Sequence, residues 1–262
     1  MRELLAHVQF RGTIRERTVE PYLRLLAALR EKRRVKGVLF DISSGGGAEI
    51  PSTDLYLAVK RLDAVKPVVA SIGSLGASGA YMAAIGARTV YAYPDSGVGS
   101  IGVVFPHFAV RRLLDRIGVD VEMVHEGRHK DAYQGLRPLS DEERSKLQAV
   151  TKDSYDSFVA MVARERKRPV AEIVPLATGE FWSGRRAKEL GLVDALGDRE
   201  DALTELGRLT GVRTSKVVRV VPPQPFFARM FSGGMSSVIP GLSTGIRDAV
   251  EDAIWDGALF GR

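Results

Sequence analysis

The chain has 262 residues, 45% hydrophobic and 27% charged, with 38 basic against 32 acidic side chains and a net charge of +6. That length and balance suit a soluble globular protein with a sizeable core, and no apolar run reaches the roughly 18–20 residues that cross a membrane. The absence of cysteine excludes disulfides, thiolate metal sites and a cysteine nucleophile.

The N-terminus, Met1-Arg2-Glu3-Leu4-Leu5, lacks the long apolar stretch of a signal peptide, and the expected location is cytoplasmic or membrane-associated. Basic runs at 30–34 and 164–168 fall near expected helix ends, where cations complement the macrodipole and stay solvated. No aromatic residues interleave with them, so nucleic acid is not an expected partner.

Leu5 to Phe10 reads as a strand, and Tyr22, Leu25, Leu26 and Leu29 follow at helical spacing. The apolar run Val38 to Ile42 leads into Ser43-Ser44-Gly45-Gly46-Gly47, a glycine-rich loop. A helix carrying Leu55, Ala58, Val59 and Leu62 comes next, then a buried strand Val68 to Ile72 and a small-residue segment ending in a helix from about Ser78. Further strands are expected at Thr89 to Tyr93, Ile101 to Phe105 and Val119 to His125. The alternation implies a largely parallel sheet flanked by helices.

Ser140 and Glu143 form a capping box opening a helix to about Arg166, with Leu147, Val150, Ser154, Phe158 and Met161 as an inward stripe. Shorter helices are expected at Ala171 to Leu176, Gly184 to Glu189 and Asp201 to Leu209, and a last strand at Lys216 to Val221. Residues 1–215 are assigned to the main domain. Residues 216–262 hold that strand, an apolar Gly/Ser segment and an amphipathic helix, suited to an oligomer or membrane-surface contact.

The densest unusual feature is the run Ser71 to Tyr81, where small residues crowd a strand-to-helix junction and leave Ser78 at a helix start. An acyl-transfer nucleophile fits there, because developing negative charge is favoured; the plain alternative is that Ser78 only caps the helix. The Gly45–Gly47 loop, at the end of a strand, is either an oxyanion-binding loop or a flexible turn. Lys130, between His129 and Asp131, is on its own a surface charge. Ser78, His129 and Asp131 offer a conventional triad as a competing arrangement, although adjacent His129 and Lys130 point in different directions.

Taken in order, the glycine loop, Gly76-Ala77-Ser78-Gly79-Ala80-Tyr81, the segment 95–103, His129-Lys130-Asp131, the segment 138–144 and the segment 181–194 resemble the signal peptide peptidase A (SppA) family of Ser/Lys peptidases. The resemblance covers roughly residues 5–210 and implies an α/β fold of the ClpP/crotonase type, with repeated β-β-α units. It implies Ser78 as nucleophile, Lys130 as general base, Ser100 as the serine that orients the lysine, and the amides of Gly46 and Gly79 as oxyanion donors. Ser44 stands where the family carries proline, which loosens the loop slightly.

The resemblance also implies peptide substrates such as cleaved signal peptides, no cofactor, and a homo-oligomer, an octamer for example, in which Ser78 and Lys130 meet across protomers. An ordinary lysine, with a pKa near 10.4, is protonated at neutral pH, so a lysine base must be desolvated. The same fold supports acyl-CoA enzymes and non-catalytic ring proteins, which are the rival readings.

Overall fold

Three long parallel strands form the centre of the sheet: β1 (Leu4–Arg11), β2 (Val35–Ser44) and β3 (Val68–Ala77). The computed structural model describes residues 3–222; the expected apolar tail and amphipathic helix beyond lie outside the described residues. Helices α1 (Glu16–Glu31) and α2 (Glu49–Asp63) join these strands in sequence, as parallel pairing requires. With β4 (Thr89–Ala92), β5 (Gly97–Gly99), β6 (Phe181–Ser183), β7 (Ala195–Leu196) and β8 (Val217–Val220), the sheet runs in the order β6-β5-β3-β2-β1-β8, while β4 pairs with β3 and β7 with β4. Among these pairs only β5 with β6 is antiparallel. This is the α/β, mainly parallel ClpP/crotonase-type architecture.

Side chains alternate between the two faces. Ala6, Val8, Phe10, Val38, Phe40, Ile42, Val68, Ala70 and Ile72 form one buried face, in the same core as residues of α1 and α2. Leu5, Leu39 and Val69 point the other way and meet Ala202 and Leu206 of α8 (Arg199–Thr210). Both faces of the central strands are therefore covered, which explains their near-continuous apolar sequences. The last strand, β8 (Val217–Val220), pairs with β1, so the sheet runs past residue 215 and the compact unit continues to Val221.

The small-residue segment after Ile72 does not leave the sheet. Its register shifts between Ile42 and Ser44, so that Ser44 pairs with Gly76, and β3 continues to Ala77 beside β5 (Gly97–Gly99). Helix α3 (Gly79–Ala84) begins two residues later, with all six of its residues buried. β4 (Thr89–Ala92), β6 (Phe181–Ser183), α7 (Gly184–Glu189) and β7 (Ala195–Leu196) complete this side.

Two expected strands are corrected. Ile101 to Phe105 and Val119 to His125 form no strand. They flank the short helix α4 (Arg111–Arg116), and Val104, Phe105, Val119, Met123 and Val124 are exposed. A β-rich composition forms a strand only where an edge is available to complete the backbone hydrogen bonds.

Helix α5 (Asp141–Glu165) starts at the expected capping box: the Ser140 amide donates to Glu143 Oε2 at 2.8 Å and the Glu143 amide to Ser140 Oγ at 3.3 Å. Its expected inward stripe is only half right. Phe158, Val159, Val162 and Ala163 are buried, whereas Val150 is 63% exposed. The N-terminal half of this 25-residue helix, about 37 Å long in all, thus extends beyond the core. The short helix α6 (Val170–Ile173) follows it.

Candidate active site

Ser78 is the residue before α3, and its hydroxyl makes no capping hydrogen bond. The reading of Ser78 as a mere helix cap is therefore wrong. Its backbone, at φ 52° and ψ −125°, lies in a region that L-residues avoid, at a cost on the order of 1–3 kcal/mol. The strand on one side and the buried helix on the other hold it there, and its amide donates to Gly99 O at 2.7 Å. Ser100, the next residue, is also left-handed (φ 48°). Its amide donates to Glu180 O at 2.7 Å and its hydroxyl to Gly179 O at 3.0 Å.

The glycine loop is pinned rather than flexible. Ile14 N donates to Gly46 O at 2.8 Å and Ala48 N to Ile14 O at 2.9 Å, so the β1–α1 connection grips both sides. Gly47 (φ 154°) has no room for a side chain, since a Cβ would overlap Ile14 O. Gly46 (φ 92°) packs on the start of α3: a Cβ there would lie 2.7 Å from Gly79 N and 2.9 Å from Ser78 Cβ. The structure thus brings Gly46, Ser78 and Gly79 together. The Gly46 amide, however, donates to Ser44 Oγ at 3.0 Å, while Gly47 and Gly79 line the open groove. Sequence reasoning took Gly47 only as part of a possible oxyanion-binding loop, and gave Ser44 no role beyond its place where the family has proline.

That groove has a volume of about 440 Å³. Its walls include Ser52 and Met82 beside Ser78, Val103 and Phe105 from the irregular segment, and Phe158 and Met161 from α5. A second depression, of about 690 Å³, adjoins it across Val103–Phe105 and extends along α5 past Leu147 and Tyr155. Such a mainly apolar trough with a serine in its lining suits an extended chain with apolar side chains.

Ser52 was also missed. It is buried, donates to Ala48 O at 2.7 Å, and sits where a Cβ on Gly79 would fall. Gly79→Ala should therefore destabilise the fold by about 1–3 kcal/mol through overpacking and displace the amide next to Ser78. Thermal unfolding should show a midpoint several degrees lower; an unchanged midpoint would contradict this close approach.

Lys130 is not brought to the groove. It lies on an exposed turn, with its amide donating to Gly127 O at 3.0 Å, and does not line the cavity that holds Ser78. The burial expected of a lysine base is absent from the single protomer. The Ser78-His129-Asp131 triad does not form either. His129 Nε2 meets Lys146 Nζ at 2.7 Å, and Asp131 is forked by Arg137, whose guanidinium holds its carboxyl below the usual range.

The model of peptidase family S49 matches residues 60–213, more than half of the chain. The chain belongs to peptidase family S49. Two proteins named "Putative protease", slr0021 of Synechocystis sp. and MJ0651 of Methanocaldococcus jannaschii, are 35% and 38% identical to it over 234 and 197 residues. These matches cover 88% and 75% of this chain and 84% and 63% of the relatives. "Serine protease SPPA, chloroplastic" of Arabidopsis thaliana is 30% identical over 224 residues, 84% of this chain but 33% of that longer protein. The family assignment makes the chain a peptidase and sets aside the acyl-CoA reading. The matched region contains Ser78, Ser100 and Lys130, whereas the glycine loop precedes it.

Proposed function

We propose that the chain is a serine endopeptidase in which Ser78 attacks the peptide carbonyl and Lys130 of a neighbouring protomer takes its proton. The observation that carries the reading is Ser78 itself, a serine in helix-cap position whose side chain does not cap, held in a costly conformation in the lining of an apolar groove. Strain of this kind persists where the surrounding structure over-determines it, and such residues cluster at functional sites.

In the proposed reaction neutral Lys130 accepts the Ser78 proton as the Oγ–C bond forms. The amides of Gly79 and Gly46 hold the oxyanion, the latter after Ser44 Oγ turns away from it, with Gly47 N–H beside them in the same loop. Collapse of the tetrahedral intermediate expels the amine with the proton from Lys130, and water then hydrolyses the acyl-enzyme by the same route. Ser100 supplies the hydroxyl that orients the lysine, exchanging its bond to Gly179 O for one to Nζ.

The reading that the lysine acts across protomers is supported by its exposure here and by the uncovered apolar residues of the same region, among them Val104 (84% exposed), Phe108 (74%) and Val124 (95%). Apolar surface of this kind marks an association site, and covering the Lys130 turn supplies the desolvation that a lysine base requires. Substrates are extended peptides rich in apolar side chains, such as cleaved signal peptides or other membrane-associated fragments, which the trough beside Ser78 accommodates. A fluorophosphonate probe should label Ser78, and Lys130→Ala should lose both labelling and peptide cleavage. Undiminished labelling of Lys130→Ala would remove lysine from the mechanism.

A further inference from the structure

The turn that carries Lys130 is held to the start of α5 by several polar contacts: Arg128 donates to Glu142 at 2.8 Å, His129 lies within 3.4–3.6 Å of Glu142 and Glu143, and Arg137 makes the one four-bond fork. Arg137 donates from Nε and Nη2 to the two oxygens of Asp131, at 3.0 and 3.1 Å. It also donates from Nη1 and Nη2 to the two oxygens of Glu143, both at 2.8 Å. Glu143 is only 3% exposed and is itself fixed by the Ser140 amide. One planar guanidinium therefore links the residue next to Lys130 to Glu143 in the first turn of a long helix, a geometry that the point charge of a lysine does not reproduce. Ala132, two residues past Lys130, is fully buried among largely exposed neighbours, and His129 meets Lys146 of α5. The Arg137 guanidinium and the Ser140 amide hold the Glu143 carboxyl well below the usual range. Both carboxylates of the clamp consequently stay charged across neutral and mildly acidic pH, and the clamp opens only as pH falls through their depressed pKa values.

At its other end α5 is fixed in the core by Phe158, Val159 and Val162, and Phe158 and Met161 line the Ser78 groove. Glu143 stands roughly 22 Å along the helix axis from Phe158. The lysine turn is thus held at the far end of a rigid strut from its own groove.

We infer that Arg137 is a positioning residue for Lys130: by bridging Asp131 to Glu143 it holds the lysine-bearing turn at a fixed place on α5. This inference rests on the reading of Lys130 as base. It adds that the lysine is pre-organised within its own protomer before any neighbour arrives. Losing the clamp leaves the lysine attached but misplaced, and errors of about 1 Å cost up to on the order of 10²-fold in rate.

The test compares Arg137→Ala, Arg137→Lys, Asp131→Asn and Lys130→Ala in the full chain. Cleavage of a fluorogenic apolar peptide is measured against pH, with unfolding midpoint and oligomeric state as controls. Arg137→Ala and Asp131→Asn should lower kcat roughly 10- to 100-fold with little change in KM. The acidic limb of kcat/KM should move to higher pH, because a loosened lysine is better solvated and must lose its proton at higher pH. Added guanidinium should restore part of the Arg137→Ala activity, whereas Arg137→Lys should remain impaired.

Should Arg137→Ala fail to fold, Asp131→Asn carries the test, since it leaves the Arg137–Glu143 fork intact. Wild-type kcat and pH profile in Asp131→Asn or Arg137→Ala, with Lys130→Ala inactive, overturn the clamp and leave the lysine base standing. Activity lost only in proportion to lost assembly, with no guanidinium rescue, also overturns the clamp. Full activity in Lys130→Ala overturns the underlying reading instead.

Discussion

Ser78→Ala should lower kcat for peptide cleavage by on the order of 10⁴- to 10⁶-fold, the scale on which removal of a serine nucleophile acts, with little change in the unfolding midpoint. Ser78→Gly should be equally inactive and yet more stable than Ser78→Ala. The difference comes from the backbone: at φ 52° and ψ −125° alanine keeps the steric cost of a Cβ, whereas glycine does not. Removing roughly 1–3 kcal/mol of strain outweighs the unfolded-state entropy that glycine adds, about 0.4–1 kcal/mol. The net gain is about 1 kcal/mol, a rise of roughly 2–4 °C for a domain of this size. Ser78→Thr should be inactive and less stable than both, because a β-branched side chain tolerates positive φ worst. Calorimetry of the three variants checks the ordering. Ser78→Gly unfolding below Ser78→Ala would mean that the strain is not there, and cleavage by Ser78→Ala within about 10²-fold of wild type would remove Ser78 as nucleophile.

Co-expression of Ser78→Ala with Lys130→Ala should restore activity that neither variant has alone. If each site takes its serine from one protomer and its lysine from the next around a closed ring, half the serine positions and half the lysine positions are intact. Random mixing then leaves about a quarter of the sites complete. Recovery near a quarter of the wild-type rate supports cross-protomer pairing. A mixture with no recovery, although the two chains demonstrably co-assemble, would place serine and lysine in one chain. The measurement is a rate on one peptide at matched protein concentration, so it needs no knowledge of the natural substrate.

The central strands and the long helix were legible because local sequence and tertiary environment agree there. Val38 to Ile42 is apolar except for the buried Asp41 and is covered on both faces, and Ser140 with Glu143 caps α5 as their spacing requires. The two strands expected at 101–105 and 119–125 failed for the converse reason. Apolar residues announce that something will cover them, but not whether it belongs to the same chain. The sequence grouped Gly46, Ser78 and Gly79, which the structure brings together, with Lys130, which lies apart on an exposed turn. Nothing in the sequence showed that Ser44 Oγ would occupy the Gly46 amide, since that depends on a side-chain rotamer. The Arg137 fork was hidden too: arginine six residues from both Asp131 and Glu143 matches no helical or strand spacing, because it spans a turn and a helix start.

The pairing of β8 with β1 has a consequence for how the molecule comes to be folded. Leu5 lies opposite Val217, so the two ends of the described unit are neighbours in one sheet and the contact closes almost the whole chain into a loop. Loop closure of that span costs entropy that local helices do not repay, and topologies with such distant partners fold slowly. During synthesis β1 emerges ahead of the other described strands, and its outer edge waits for a strand made some two hundred residues later. Until then the edge presents unpaired backbone groups, a template for wrong partners. Completion of the sheet therefore depends on β8, made after the other strands of the described unit, and a chain cut just before Val217 would expose the side of β1 that β8 covers.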